Sequence, residues 1–161
     1  MTKQTKGMMF VLSSPSGTGK TTLTKKLAEN NKNFSISISY TTRKPRIHET
    51  NGKDYFFVNG KQFEDLIKKD SFFEHATIFN NLYGTLKSPV LKILSSGKDV
   101  LFDIDWQGTQ QLKKKIKNSK LVTIFILPPT TEVLKNRLLN RDQDGKLIVE
   151  ERMKIFKQEV L

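Results

Sequence analysis

The chain has 161 residues, a formal charge of +12 and no cysteine, and its length predicts one domain because domains average about 150 residues. A sequence without cysteine excludes a disulfide scaffold, Cys-ligated zinc, an iron–sulfur cluster and a thiol nucleophile. Only two histidines are present, so a histidine-rich metal site is not expected. Apolar runs stay well below the roughly 18 residues of a membrane span, and the polar start does not resemble a signal peptide. We therefore expect a soluble, cytoplasmic protein without a membrane partner.

The positive charge comes mainly from lysine, because only five of the 28 basic residues are arginine. Excess positive charge suits polyanionic partners such as nucleic acids or nucleotide phosphates. Lysines that are scattered along the chain are more typical of a solvated surface. Arginine binds phosphate through a planar, bidentate fork. The better candidates for a phosphate site are therefore Arg43, Arg46, Arg137, Arg141 and Arg152.

Strand and helix patterns alternate along most of the chain. Continuous apolar runs at residues 8–12, 100–102 and 121–127 predict strands that are buried on both faces. Helical patterns follow at residues 21–29, between Ser88 and Gly97, at 107–117 and at 131–141, with Ser88 as N-cap and Pro89 as first residue of the second helix. This alternation predicts an α/β fold with a parallel sheet, right-handed crossovers and flanking helices.

A central stretch breaks this alternation. Residues 34–39 and 55–58 have the pattern of strands with one polar face, a short helix carries Phe63, Leu66 and Ile67, and residues 72–79 again resemble a strand. We interpret this stretch as a small mixed α+β insert. The predicted single domain, residues 1–161, thus has a core (about 7–34 and 86–129), the insert (about 35–85), a lid (about 130–150) and the start of a helix (about 148–161).

A glycine-rich loop follows the first apolar run and opens the first predicted helix. It matches the phosphate-loop pattern, except that serine replaces the first glycine. Glycines let backbone N–H groups surround a phosphate, and the helix N-terminus adds partial positive charge. The lysine reaches the β- and γ-phosphates, and the hydroxyl after it binds Mg²⁺. The sequence therefore predicts a site for a nucleoside triphosphate with Mg²⁺, formed by Ser14, Pro15, Ser16, Gly17, Thr18, Gly19, Lys20, Thr21 and Thr22.

A second phosphate site is indicated downstream. Arg43 and Arg46 stand three residues apart and Tyr55 follows nine residues later, so planar donors and a phenol can surround a phosphate. The spacing T-T-R-x-x-R-x-x-E-x-x-G-x-x-Y-x-F at residues 41–57 resembles that of guanylate kinases. Further matches to that family are Phe-Glu-His-Ala at 73–76, Tyr-Gly-Thr at 83–85, Phe-Asp-Ile-Asp-Trp-Gln-Gly at 102–108 and Ile-Leu-Pro-Pro at 126–129. The resemblance covers nearly the whole chain.

The resemblance implies roles for the residues that match these motifs. Those that resemble the family's ligands of the GMP phosphate are Arg43, Arg46, Tyr55 and Tyr83. Glu74 resembles the carboxylate that accepts hydrogen bonds from guanine N1–H and the 2-amino group, and Ser39 and Thr85 would complete the base pocket. Adenine presents no such donor pair on that edge, which would explain a preference for guanine.

Two acidic residues follow the strand predicted at 100–102. Asp103 and Asp105 stand at the carboxyl edge of the sheet, where α/β proteins bind ligands. The resemblance gives Asp103 the place of the acid that orients either the Mg²⁺ shell or Lys20, and it turns Asp105 toward the acceptor nucleotide. Spacing does not decide between these roles, and either residue can instead serve as a helix N-cap.

The resemblance also places three arginines in a mobile lid that closes over the triphosphate: Arg137, Arg141 and Arg152. Arg137 and Arg141 share a helix face at i and i+4, which is equally typical of a solvated helix. Family members continue past the lid into another core strand and a final helix. Here the sequence stops inside an amphipathic helix with Ile155 and Phe156 on its apolar side. We therefore expect a truncated or shortened chain with a weakened adenine site.

The resemblance implies an ATP:GMP phosphotransferase that uses Mg²⁺ and accepts GMP or dGMP, as a monomer or homodimer. One alternative is a non-catalytic guanylate-kinase-like module that binds phosphopeptides. Such modules typically have degraded ATP sites, whereas Lys20, Thr21 and Asp103 are present here. A related kinase of phosphorylated sugars is a second alternative, against which Glu74 and Ser39 favour guanine. Nucleic-acid binding is not expected, because no reading element is recognisable.

Overall fold

The computed structural model describes residues 7–116, 120–140 and 146–160. The strands in these ranges are β1 (Met9–Ser13), β2 (Phe34–Ile36), β3 (Tyr40–Thr41), β4 (Phe56–Phe57), β5 (Phe72–Ile78), β6 (Asn81–Leu86), β7 (Asp99–Asp103) and β8 (Leu121–Phe125). The helices are α1 (Lys20–Asn30), α2 (Gly60–Lys68), α3 (Lys87–Ser95), α4 (Trp106–Lys115), α5 (Thr131–Leu139) and α6 (Lys146–Val160). Among these described helices, none is both long and apolar enough to cross a membrane.

The main sheet is parallel and has the strand order β2-β7-β1-β8. Val11 on β1 and Phe102 on β7 are fully buried, and Leu94 of α3 and Leu112 of α4 join the same core. Helix α1 packs against β1, β2 and β7. Strands covered in this way need continuous apolar runs. The predicted α/β fold, a parallel sheet flanked by helices, is confirmed.

The second sheet has the order β4-β3-β6-β5 and mixes parallel and antiparallel pairs. Strands β5 and β6 form a hairpin whose turn residues, Phe79 and Asn80, have φ angles of 47° and 61°. Tight two-residue hairpins favour this left-handed conformation, because it matches the twist of the strands. Helix α2 begins with a capping box between Asn59 and Gln62. It buries Phe63 against Phe72, with ring centroids 4.6 Å apart.

Strand β2 differs from its prediction. It pairs with β7, with Phe34 opposite Asp99 and Ile36 opposite Leu101, and therefore lies at the edge of the main sheet. The sequence pattern had placed this strand at the start of the insert. The three residues of β2 are half-buried. An edge strand of a large sheet and a strand of a small sheet both alternate in polarity, so the pattern does not separate them.

The strand predicted at 121–127 is shorter and more exposed than expected. β8 ends at Phe125, whose exposed fraction is 46%, and it pairs with β1 at the edge of the described sheet. The apolar run predicted burial on both faces, but an edge position leaves its last residues open to solvent.

Helix α3 starts one residue before its predicted N-cap. β6 runs directly into Lys87, and Leu86 takes the N-cap position without a side-chain hydrogen bond. Ser88 and Pro89 therefore lie inside the first helical turn, where proline is tolerated because its missing N–H has no helical acceptor. The helix stops before Gly97, whose φ of 83° suits a glycine, as predicted.

Two helices form the region predicted as a lid. α5 and α6 pack together through Leu134, Leu138, Val149 and Phe156. The helix predicted at 131–141 ends at Leu139, and Arg141 lies outside the described residues. The helix predicted at 107–117 ends at Lys115, and residue 117 is likewise outside them.

A substitution of Phe63 tests what stabilises the second sheet. The Phe63→Ala variant should lose about 3–5 kcal/mol of unfolding free energy, because a fully buried aromatic ring is replaced by a cavity. Urea unfolding followed by circular dichroism measures this loss. Lys61→Ala, an exposed change on the same helix, should leave the midpoint unchanged within error. Equal midpoints for the two variants would show that the stacked rings do not stabilise this sheet.

Candidate functional site

A cavity of about 500 Å³ lies where the carboxyl ends of β1 and β7 face the second sheet. This cavity is lined by residues that were predicted for the two nucleotide sites. They are Ser14, Pro15, Ser16, Gly17, Thr18, Gly19, Lys20, Thr21, Thr22, Ser39, Arg43, Arg46, Tyr55, Glu74, Tyr83, Asp103, Asp105 and Arg152. Two predicted site residues are placed elsewhere. Thr85 is buried, in hydrogen-bond contact with Ser39 of the cavity wall, and Arg137 lines a neighbouring cavity.

The glycine-rich loop has the backbone that its sequence predicts. Gly17 and Gly19 have φ angles of 92° and 97°, a conformation that other residues adopt at a cost. Ser14, in the place of the usual glycine, accepts a 2.6 Å hydrogen bond from the Thr18 hydroxyl. Gly19 caps α1 without a side-chain hydrogen bond, so the N-terminus of α1 opens onto the loop. This arrangement is typical of an anion site.

Lys20 is fixed by the end of β7. Its ammonium group lies 3.0 Å from Asp103 Oδ1 and donates a 2.7 Å hydrogen bond to the Ile104 carbonyl. Of the two roles left open for Asp103, this geometry favours the orientation of Lys20. The lysine is held at the cavity wall and does not extend freely into solvent.

Asp105 serves as a helix N-cap, which is one of the roles that the sequence leaves open for it. It is the N-cap of α4, and its Oδ1 accepts a 2.9 Å hydrogen bond from the Gly108 N–H. Asp105 also lines the cavity. Capping and proximity to a ligand are compatible here, because the N-terminus of α4 itself faces the cavity.

The predicted acceptor-phosphate arginines are organised by Glu49. Arg43 donates two hydrogen bonds to the Glu49 carboxylate, at 2.9 and 2.7 Å, and the Arg46 backbone N–H donates a third, at 2.8 Å. Partial burial alone would raise the pKa of Glu49, but these contacts outweigh it and hold the pKa below its usual value. Arg43 also lies over the Tyr55 ring, 5.4 Å from its centroid.

Tyr55 and Tyr83 complete this wall. Their rings meet edge to face at 6.0 Å. Burial, together with the charge of Asp103, raises the pKa of the Tyr55 phenol, so Tyr55 stays protonated and can donate a hydrogen bond to an anion. Guanidinium and phenol groups thus line the cavity together.

Glu74 is a buried carboxyl group that faces the cavity. Its exposed fraction is 3%, and among the residues that the structure describes none donates a hydrogen bond to Oε1. Burial raises the pKa of Glu74 to about 7, an effect that Thr85 opposes by hydrogen bonding and the negative charge of Asp105 reinforces. The hydroxyls of Thr85 and Ser39 lie 3.2 Å apart in hydrogen-bond contact. A buried acceptor without a donor is costly unless a ligand supplies one.

The two described arginines of the region predicted as a lid both contact the glycine-rich loop. Arg137 donates a 2.9 Å hydrogen bond to the Thr18 carbonyl from α5. Arg152, on α6, donates a 2.8 Å hydrogen bond to the Ser16 hydroxyl and lies 5.1 Å from the centre of the Phe79 ring. Arg152 thereby joins the loop to the hairpin of the second sheet.

Some residues of the site had no predicted role. Glu49 stood inside the arginine motif, and its i, i+3 spacing from Arg46 was the available signal. Phe79, Trp106 and Gln107 line the cavity. Trp106 and Gln107 stand in the motif at residues 102–108, whereas the local pattern gives no signal for Phe79. Ile155 and Phe156 both line the cavity, although the sequence predicts both toward a core. Phe156 also joins the α5–α6 core.

The residues around Lys20 fit a Mg²⁺ ion that is held mainly by nucleotide. Mg²⁺ takes few protein ligands in such sites and completes its shell with phosphate oxygens and water. The Thr21 hydroxyl and the Asp103 carboxylate both line the cavity. A group of three or more acidic or histidine side chains, which could hold a metal alone, does not occur within residues 7–116, 120–140 and 146–160.

Comparison with known proteins agrees with this geometry. The family model described as guanylate kinase matches residues 6–161. A guanylate kinase of Paramagnetospirillum magneticum is 50% identical over 148 residues, which are 92% of this chain and 69% of that protein. A guanylate kinase of Rickettsia conorii is 48% identical over 160 residues, which are 99% of this chain and 69% of that protein.

A solved structure is similar over almost the same span. The crystal structure of guanylate kinase from Anaplasma phagocytophilum has a TM-score of 0.74 and 32% sequence identity, and the match covers 96% of this chain and 87% of that one. Family model, relatives and fold agree with the motifs that meet in the cavity. This chain belongs to the guanylate kinase family.

Proposed function

We propose that this chain transfers the γ-phosphoryl group of ATP to GMP, giving ADP and GDP, within the cavity between its two sheets. The observation that carries the proposal is the pairing of two features across one cavity. A phosphate-loop lysine is held by Asp103 on one side, and the buried Glu74 carboxyl faces the cavity with an oxygen that lacks a donor in the described structure. The first feature suits a triphosphate, and the second suits a base that presents N–H groups.

On the donor side the loop binds the triphosphate. Its backbone N–H groups and the N-terminus of α1 surround the β-phosphate, and Lys20 contacts the β- and γ-phosphates. Arg137 and Arg152, already bonded to loop residues, are positioned to neutralise charge on the transferring group. We assign the same role to Arg141, which lies outside the described residues. Mg²⁺, when bound next to Thr21 and Asp103, supplies charge neutralisation at the β- and γ-phosphate oxygens.

On the acceptor side Arg43 and Arg46 hold the GMP phosphate, and Tyr55 and Tyr83 donate further hydrogen bonds. Glu49 holds the Arg43 guanidinium before the substrate arrives, which reduces the entropy that binding must overcome. A GMP phosphate oxygen then attacks the γ-phosphorus, and the bond to the β–γ bridging oxygen breaks as ADP departs. The attacking oxygen is already anionic, so the chain contributes positioning and charge neutralisation without a general base.

Glu74 recognises the guanine base. Its carboxylate accepts hydrogen bonds from guanine N1–H and the 2-amino group, while Ser39, Thr85 and Asp105 shape the pocket around it. Adenine presents an acceptor in place of the N1–H donor, so it would leave the buried carboxylate without its partner. A phosphopeptide has no such donor pair, and the intact Lys20–Asp103 contact argues against a module without catalytic activity.

The test of this function is a coupled assay of ADP release with GMP, AMP, UMP or no acceptor. Turnover should require an acceptor and should be fastest with GMP. Equal rates with all acceptors, or release without one, would contradict the proposed base pocket.

Lys20→Ala should lower kcat by roughly 10³-fold or more, because the transferring group loses its charge-assisted contact. The fold should remain, since the Lys20 side chain lies at the cavity wall, where Asp103 is partly exposed. Lys32→Ala removes an exposed lysine and serves as control. Steady-state kinetics and thermal unfolding of both variants measure the effect, and near-normal kcat for Lys20→Ala would refute the role of the loop.

Glu74→Gln should lower kcat/KM for GMP by up to the order of 10⁴ with little change in the KM for ATP, because an amide N–H would face a guanine N–H. The pKa of about 7 adds a pH effect. As pH falls from about 8 to about 6, protonation of Glu74 should raise the wild-type KM for GMP about tenfold. The Glu74→Gln variant shares the titration of the GMP phosphate but should lack this rise. A parallel rise in both proteins would exclude Glu74 as its cause.

Arg43→Lys and Arg46→Lys should each raise the KM for GMP about 10- to 100-fold, because an ammonium group does not reproduce the bidentate fork. Lys44→Ala is the matched control, since it removes one exposed positive charge from the same loop. If the arginines acted only through surface charge, Arg43→Lys and Arg46→Lys would keep that charge and leave the KM for GMP unchanged, whereas Lys44→Ala and added salt would each raise it.

A further inference from the structure

We propose that Gly108 of α4 is a positioning residue for base selectivity, because the space that its missing side chain leaves is occupied by the Glu74 carboxylate. The inference rests on the proposed role of Glu74 and extends it to the helix behind the base pocket. Gly108 itself is buried on α4 and makes no contact with the base in this scheme.

The distances leave no room for a side chain at position 108. A Cβ atom built on Gly108 would lie 2.5 Å from Glu74 Oε2, 3.1 Å from Glu74 Cδ and 3.3 Å from Ile104 Cδ1. Real Cβ atoms essentially never approach another heavy atom to within 3.0 Å. The carboxylate therefore packs directly onto the backbone of α4, with Oε2 toward the helix.

Backbone conformation does not require glycine at this position. Gly108 lies in the first turns of α4, and its φ is not among the positive values of the chain's described glycines. Glycine inside a helix costs about 1 kcal/mol relative to alanine. Glycine at position 108 thus lowers the helix propensity, and the backbone conformation does not require it. The space that the Glu74 carboxylate fills explains why a glycine stands there.

Strand β5 is bound to α4 on both sides of Glu74, so it cannot easily move away from the helix. The Gln111 side-chain amide accepts a 3.1 Å hydrogen bond from the His75 N–H and donates a 2.7 Å bond to the His75 carbonyl. The Lys115 ammonium group donates a 2.6 Å bond to the Phe73 carbonyl. Gly108, Gln111 and Lys115 share one helix face at i, i+3 and i+7, and this face meets three consecutive residues of β5.

The helix start is fixed as well. The Gly108 N–H donates to the Asp105 carboxylate, and the Thr109 hydroxyl donates to the Asp105 carbonyl at 2.8 Å. With helix and strand both held, the end of the Glu74 side chain is the part that yields when a methyl group is added at position 108. The carboxylate would then move relative to the two N–H groups that it is proposed to bind.

The experiment compares Gly108→Ala with Gly60→Ala. Gly60 is the first residue of α2, and a Cβ there meets nothing within 4 Å, so it controls for a glycine-to-alanine change in a helix. For Gly108→Ala we expect kcat/KM for GMP to fall at least tenfold, with kcat at saturating GMP and the KM for ATP changed less than about twofold. The preference for GMP over IMP, which lacks the 2-amino group, should also shrink. Gly60→Ala should leave all these values unchanged.

A binding measurement separates recognition from turnover. Trp106, the single tryptophan of the chain, lines the cavity, so its fluorescence can report the Kd for GMP without ATP. The Kd should rise in Gly108→Ala by the same factor as the KM. An unchanged Kd and an unchanged GMP/IMP ratio in a folded Gly108→Ala protein would overturn the inference.

A double-mutant cycle with Glu74→Asp tests whether Gly108 acts through Glu74. Aspartate is one methylene shorter and withdraws the carboxylate from the helix, so Gly108→Ala should have at most a small further effect in that background. Additive effects would show that Gly108 acts independently of Glu74. If Gly108→Ala fails to fold alone, folding in the Glu74→Asp background supports the same overlap, and failure in both backgrounds overturns it.

The same data separate this inference from the proposed function. If Glu74→Gln leaves GMP use unchanged, the assignment of the base pocket itself is wrong. If Glu74→Gln has its expected effect and Gly108→Ala has none, the base pocket stands and only the role of Gly108 is wrong.

Discussion

The parallel register of β1 and β7 positions the chemistry of this protein. Leu12 lies opposite Asp103, so the glycine-rich loop that leaves β1 and the acidic segment that leaves β7 emerge side by side. Lys20 then meets Asp103 and the Ile104 carbonyl across 83 or more residues of sequence. A one-residue slip of this register would turn every side chain of the strand to the opposite face, and it would separate the lysine from its carboxylate.

Helix α4 joins the two halves of the site. Its N-terminus follows the acidic segment of the main sheet, its N-cap is Asp105, and its face binds the backbone of β5 through Gln111 and Lys115. The position of Glu74 relative to the glycine-rich loop is therefore transmitted through one short, rigid element. Phosphoryl transfer depends on holding donor and acceptor in a near-attack geometry. Residues on helices hold such a geometry, to within about 0.5 Å, more reliably than residues on loops.

Two carboxyl groups of the site change the stability of the fold with pH in opposite directions. Burial raises the pKa of Glu74 to about 7, above its value in an unfolded chain. The folded state therefore binds more protons than the unfolded state between the two values, and stability falls as pH rises through this range. Glu49 has the opposite sign, because Arg43 and Arg46 favour its charged form. The Glu74 carboxyl group is left for a ligand to contact, whereas the Glu49 carboxylate holds Arg43 and Arg46 in place.

The sequence alone determined the parallel α/β fold, the glycine-rich loop and the arginine and tyrosine residues that surround the cavity. These features are local, because each follows from a periodic pattern or from a motif of fewer than about 20 residues. The tertiary structure decided that β2 joins the main sheet, that Asp103 holds Lys20 and that Arg152 meets Phe79. It also decided that the Glu74 carboxylate occupies the space beside Gly108. Such contacts join residues that are far apart in the chain. They form only when the sheets and helices pack together, and a local sequence pattern does not predict that packing.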